Sequence, residues 1–140
     1  MVFAFELHGQ VIGTIRMMPT RYGLTLTEQL FERVNPEFRS VWPDSWEAGR
    51  LVVSPKFRVG QDVLKRCLYL TLAQLMETVE VDHMLGSCTH VLSRLYRRFG
   101  FTIQSQNVLL PGTEKSYTLI HGRAHSVLAA LAPTHQELVA

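Results

Sequence analysis

The segment Trp46-Glu47-Ala48-Gly49-Arg50-Leu51-Val52-Val53-Ser54-Pro55 decides how the rest of this chain is read. An apolar, β-branched run carries its charges, Glu47 and Arg50, at one end and is closed by a proline that cannot extend a central strand. Side chains alternate along a strand, so the two charges face opposite ways unless an extra residue shifts the register. Ala48-Gly49 is the predicted place for such a bulge. A carboxylate and a guanidinium at a strand entrance predict that a reacting group meets the sheet here; the plainer reading is a charged strand end in water.

Working outward, the strand runs through a loop, 56–60, into the longest helix, expected over 62–81 with Asp62 as N-cap. Its stripe is Leu64, Leu68, Leu72, Leu75 and Val79, widened by Val63, Cys67, Leu70 and Ala73. Strand, glycine-containing loop and helix start in that order put free backbone amides where an anion can dock, although Gly60 alone is also an ordinary turn glycine. A buried strand follows over 83–89. The next helix has Val91, Leu92, Leu95, Tyr96 and Phe99 expected inward, with Arg94, Arg97 and Arg98 outward, and Gly100 ends it. Residues 101–110 and 115–121 read as a second hairpin about Pro111-Gly112-Thr113-Glu114, before a short helix over 124–131 and a frayed tail.

Upstream, 2–7 and 11–18 form a hairpin about His8-Gly9-Gln10, and Arg16 interrupts its second strand. Thr25-Leu26-Thr27-Glu28 has the form of a capping box at the start of a short helix stopped by Asn35-Pro36. The stretch 38–46, with Trp42 and Trp46, reads as a loop placed to cover a core edge or wall a pocket. This order predicts an α/β (α+β) fold, a mixed central sheet with helices on both faces, containing a right-handed parallel crossover from Glu47 to Thr89.

At 140 residues the chain is the size of one domain, taken as 1–140. It has no apolar run of the length of a membrane span and begins without the basic stretch of a signal peptide. Cys67 and Cys88 make no disulfide framework, which fits free thiols in a reducing cytoplasm. With His83 and His90 they do not have the spacing of a zinc set, so no metal is expected, and His121 and His125 read as decoration of the last hairpin and helix. The net charge of +2 is small, but Lys56, Arg58, Lys65 and Arg66 lie together and Arg94, Arg97 and Arg98 form a second group. Such clusters predict an anionic partner, and without an aromatic stacking platform they do not point to nucleic acid.

The element order, with Tyr96-Arg97-Arg98-Phe99-Gly100-Phe101, resembles the GNAT superfamily of N-acyltransferases. Gly13-Thr14-Ile15-Arg16-Met17-Met18-Pro19-Thr20 and Trp46-Glu47-Ala48-Gly49-Arg50-Leu51 are similar to the Arg-Leu-Leu-Pro-Thr and Trp-Glu-Leu-Ser-Arg-Phe motifs of one branch, the acyl-homoserine-lactone (autoinducer) synthases and related N-acyl amino acid synthases. The resemblance implies a splay between two parallel central strands and transfer of an acyl group from a thioester to a primary amine. It implies that Arg16, Glu47 and Arg50 are catalytic. Leu51, Val52, Val53, Arg58, Gly60, Cys88 and Thr89 would then contact the donor, an acyl-phosphopantetheine thioester serving as co-substrate rather than a tightly bound cofactor. Phe57 and Asp62 depart from the loop pattern of acetyl-CoA users, which favours an acyl carrier protein. Carrier proteins are acidic, and Lys56, Lys65, Arg66, Arg94, Arg97 and Arg98 would dock one. Members carry a helical N-terminal segment over the acceptor, and the present sequence starts after it. The rival expectations are an acetyl-CoA-dependent N-acetyltransferase and a binding module that kept the fold without turnover, with a homodimer left open in each case.

Overall fold

A computed structural model of the chain describes residues 1–21, 25–57 and 62–133. The chain opens with an antiparallel hairpin, β1 (Val2–Leu7) and β2 (Gln10–Pro19), whose turn residues His8 and Gly9 both adopt left-handed conformations (φ 52° and 78°). That geometry matches the strand twist, so a two-residue turn suffices. Helix α1 (Leu26–Val34) starts at Thr25, whose hydroxyl accepts from the Glu28 amide, as the capping pattern predicts. The stretch expected to be a loop instead holds a short helix, α2 (Phe38–Val41), because the wholly buried Phe38 packs against Phe31. Next come β3 (Ser45–Val53), α3 (Asp62–Thr78), β4 (His83–Cys88), α4 (His90–Arg97), β5 (Thr102–Leu109), β6 (Ser116–Arg123) and α5 (Ala124–Leu131).

The six strands form one mixed sheet in the order β1-β2-β3-β4-β6-β5, in which only β3 and β4 are parallel. Two apolar layers sandwich it. Ile15, Met17, Met84 and Ile120 pack with Leu72 and Leu75 of α3 and with α5 on one face; Leu85 and Leu119 pack with Leu30, Phe31 and Phe38 of α1 and α2 on the other. The α/β expectation, with helices on both faces, therefore holds.

Two inward assignments fail. Leu70 (57% exposed) and Val91 (75%) lie at the surface, whereas Leu92 (44%) lines a cavity beside β4. Helix α4 begins directly after β4, so its first turn reaches past the sheet, and the fully buried Ser93 takes the inward place. The long helix also ends at Thr78, short of the expected 81.

Gly13 is required by close approach. A Cβ there would lie 2.4 Å from the Val52 carbonyl oxygen, a backbone atom that cannot swing aside. Gly13→Ala is expected to destabilise the protein by about 2 kcal/mol or more, the scale of overpacking a tight core. Urea denaturation followed by circular dichroism measures it, and an unchanged midpoint would count against this account of the β2–β3 contact.

Candidate active site

The register of β3 generates the site. Thr14 pairs with Val52 and Arg16 with Gly49, so Arg50 and Leu51 stand together against Ile15. The bulge expected at Ala48-Gly49 therefore sits at Arg50, which has the left-handed φ of 50°. Below the bulge the alternation is regular, and the opposed pairs Met18–Glu47 and Arg16–Gly49 bring Arg16 and Glu47 to the same face as α1.

On the other side of β3, pairing with β4 ends almost as soon as it starts. Ser45, Trp46 and Glu47 align with His83, Met84 and Leu85, and the two strands then part. From Ala48 onward the β4-facing edge of β3 borders a gap rather than a neighbour. Behind the gap is a cavity of about 370 Å³. Its walls are largely apolar, formed by Met17, Leu68, Leu72, Met84, Tyr96 and Ile120, and its mouth lies between Ala48-Gly49-Arg50-Leu51 and Gly86-Ser87-Cys88-Thr89.

Glu47 is 3% exposed. Its Oε2 accepts from the Thr25 hydroxyl, and its Oε1 is 3.5 Å from an Arg16 guanidinium nitrogen. Burial holds its carboxyl above the usual carboxylate range, with the Thr25 hydrogen bond and the Arg16 charge pulling the other way and the Glu28 carboxylate adding a smaller push upward. The Arg16 Nε is buried without a hydrogen-bond partner. Such a donor is rarely left unused in a folded protein, which marks this guanidinium as able to take a further acceptor. Arg50 is exposed at the cavity mouth and, unlike Arg16, forms no ion pair with Glu47. A second polar link, Thr27 Oγ1 to Ser87 Oγ at 2.6 Å, ties α1 to β4 beside the gap.

Of the expected donor contacts, Leu51, Cys88 and Thr89 line the mouth. Val52 is 55% exposed and Val53 is buried against β2 opposite Gly13, so neither side chain faces the cavity. Arg58 and Gly60 lie outside the described residues. Burial pushes the Cys88 thiol up to about 11 and also raises the Tyr96 phenol. Thr89 caps α4, accepting from the Leu92 amide. The basic residues fall in two groups: Lys56 in the turn Pro55–Phe57 with Lys65 and Arg66 on the first turns of α3, and the exposed Arg94 and Arg97 of α4 with Arg98 at its C-cap. Lys65 and Arg66 also border a broad groove between α3 and the edge strand β1. Among the described residues no group of three or more His, Cys, Asp and Glu side chains is placed to hold a metal ion, and no helix is long and apolar enough to cross a membrane.

His121 is not decoration. Its Nε2 is 2.9 Å from Nδ1 of His83, and its ring stacks on Trp42 at 4.0 Å and 9°. Trp42 thus covers this pair and does not wall the cavity. Burial, then the neighbouring His83 and Arg123, holds His121 down at about 4, and His83 is lowered as well. Between 6.5 and about 4 the unfolded chain binds a proton at His121 that the folded chain refuses, so folding stability should fall as pH drops through that window. Thermal unfolding across the range tests this. His121→Phe keeps a ring against Trp42 without titrating and should flatten the slope, whereas a slope that the variant leaves untouched would assign it to other groups.

Comparison with known proteins gives one family and several structures. The sequence profile of the N-acyl amino acid synthase FeeM family matches residues 1–136. The structure of FeeM, an N-acyl amino acid synthase from uncultured soil microbes, superposes with a TM-score of 0.73 at 11% identity, over 92% of this chain and 75% of that one. BjaI, a CoA-dependent acyl-homoserine lactone synthase with SAM and isopentyl-CoA, gives 0.63 at 17% identity over 93% of this chain and 61% of its own. The AHL synthase LasI gives 0.62 at 14% identity over 93% and 68%. At these identities the superpositions establish a shared GNAT-like fold. Among curated protein sequences none matches the chain.

Proposed function

The chain belongs to the N-acyl amino acid synthase FeeM family, a family of N-acyltransferases, and from that premise we propose that it acylates the α-amino group of an amino acid with the acyl group of a phosphopantetheine thioester. The observation that carries this reading is the buried Glu47 carboxylate beside Arg16, a guanidinium with a buried, unspent Nε donor, at the point where β3 and β4 part. An amino acid offers the complementary pair of charges: its ammonium faces Glu47, and its carboxylate takes the free donors of Arg16 and Arg50.

The chemistry follows from the positions. Glu47, directly or through one water, removes a proton from the ammonium, and the freed amine attacks the thioester carbonyl. A C–N bond forms, backbone N–H groups on the open edge of β3 receive the oxyanion, and collapse breaks the C–S bond. The thiolate leaves and takes up the second proton, which the attacking nitrogen sheds as it becomes a neutral amide. Each good oxyanion donor in such a site is worth about 3 kcal/mol. The acyl chain lies in the cavity behind the gap, whose apolar walls suit a hydrocarbon tail better than an acetyl group.

The test is thiol release and amide formation with an amino acid against its decarboxylated amine. The amine alone should lose about 100-fold in kcat/KM, the scale expected when a built charge contact goes unmade. Equal turnover of the two would overturn the assigned role of the arginines.

For the donor we favour an acyl carrier protein, because α3 and α4, which both border the cavity, carry clustered basic side chains. Acyl-CoA is the second reading, supported by the fold shared with the CoA-dependent BjaI. Reversing Arg94 and Arg97 to Glu separates them. With a carrier-borne donor kcat/KM should fall about tenfold at low salt, less at high salt, while turnover of the same acyl group on CoA stays near wild type. Equal losses with both donors would count against carrier docking.

A further inference from the structure

We infer that Thr25 is a positioning residue for the Glu47 carboxylate, holding Oε2 so that Oε1 is the oxygen that receives the substrate proton. The inference rests on the proposed role of Glu47 and adds a group that neither motif contains. Thr25 is 6% exposed and its hydroxyl is fully committed: it donates to Glu47 Oε2 and accepts from the Glu28 amide at 3.2 Å. A hydroxyl has one proton, so while that proton is on Oε2 the carboxylate cannot rotate without breaking the contact. Oε1 is left over Gly49, where a Cβ would come within 3.2 Å of it, and Gly49 lines the cavity mouth. Glycine thus keeps open the space beside Oε1, the oxygen that also lies 3.5 Å from the Arg16 guanidinium. The same Thr25 starts α1, and Thr27, two residues on, is tied to Ser87 of β4, so the carboxylate is registered to both strands that border the gap through one helix end.

The hydrogen bond also favours the charged carboxylate, opposing burial. Removing it should raise the pH at which Glu47 becomes a base. Two readouts are available on the full chain: the acid limb of the kcat/KM profile, and the carboxylate titration of Glu47 by carbon NMR without substrate. In Thr25→Val both midpoints should move up by about one pH unit, so activity below the limb falls about tenfold, while Thr25→Ser, which keeps the hydroxyl, stays with wild type. Lost helix capping lowers the melting temperature of the Val variant but moves neither midpoint. Unshifted midpoints in Thr25→Val, or a Ser variant that shifts with Val, would overturn the inference. The NMR arm needs no turnover, so a wild-type protein that forms no amide removes the proposed function while the titration still decides whether Thr25 sets Glu47.

Discussion

Glu47→Gln is expected to abolish most amide formation, lowering kcat by about 10²- to 10⁴-fold, while the thioester still binds. The side chain keeps its shape and its contact to Thr25, so the loss isolates proton acceptance, and a general base contributes on this scale. The wild-type rate should rise with pH through a midpoint above the ordinary carboxylate range, because burial disfavours the ion. In the variant the limb disappears. Single-turnover acyl transfer with matched binding of a non-hydrolysable donor separates chemistry from affinity. A Gln variant at near wild-type kcat would move the base elsewhere.

The second large effect concerns stability, and it sits one layer behind the first. Arg39 donates to Glu28 at 2.9 Å and to the Thr20 carbonyl at 2.7 Å, reaches Glu32 at 3.5 Å, and lies 4.5 Å over the Phe38 ring. Glu28 is 1% exposed. Arg39→Ala withdraws a cation from a buried carboxylate and unties the segment that leads to α1, so a loss of about 3 to 5 kcal/mol is expected. Arg39→Lys recovers only part, since a point charge cannot fork to three acceptors. Adding Glu28→Gln to Arg39→Ala should restore stability relative to Arg39→Ala alone, because the buried charge that Arg39 balanced is then gone. Chemical denaturation of the three variants measures this, and a single variant within 1 kcal/mol of wild type, roughly the value of a surface pair, would show the network to be peripheral.

The strands and most helices were legible because periodicity carried them, and two short motifs singled out Arg16, Glu47 and Arg50. What escaped depends on contacts between distant segments. The bulge was foreseen, but its position was not: Ala48-Gly49 looks the softer pair, yet it is Arg50 that takes the left-handed turn, since glycine is needed one residue earlier to clear the carboxylate. Thr25 was read as a cap, correctly, and the same hydroxyl serves Glu47, which no local pattern encodes. His83 and His121 are 38 residues apart and meet only because β4 and β6 pair. Val91 satisfies a helical stripe, but the stripe says nothing about where the sheet stops beneath it.

Because Glu47 and Arg16 look toward α1 while the cavity opens among residues packed on α3, the proposed function would have the sheet itself partition the two substrates, with the parted strands as a doorway between them. On that reading each reactant has its own side of the sheet, and the expected kinetics are a ternary complex with random order of addition and intersecting initial-rate lines. It also means that a bisubstrate inhibitor needs a linker thin enough to thread between two backbones, with a charged head on one side and a greasy tail on the other.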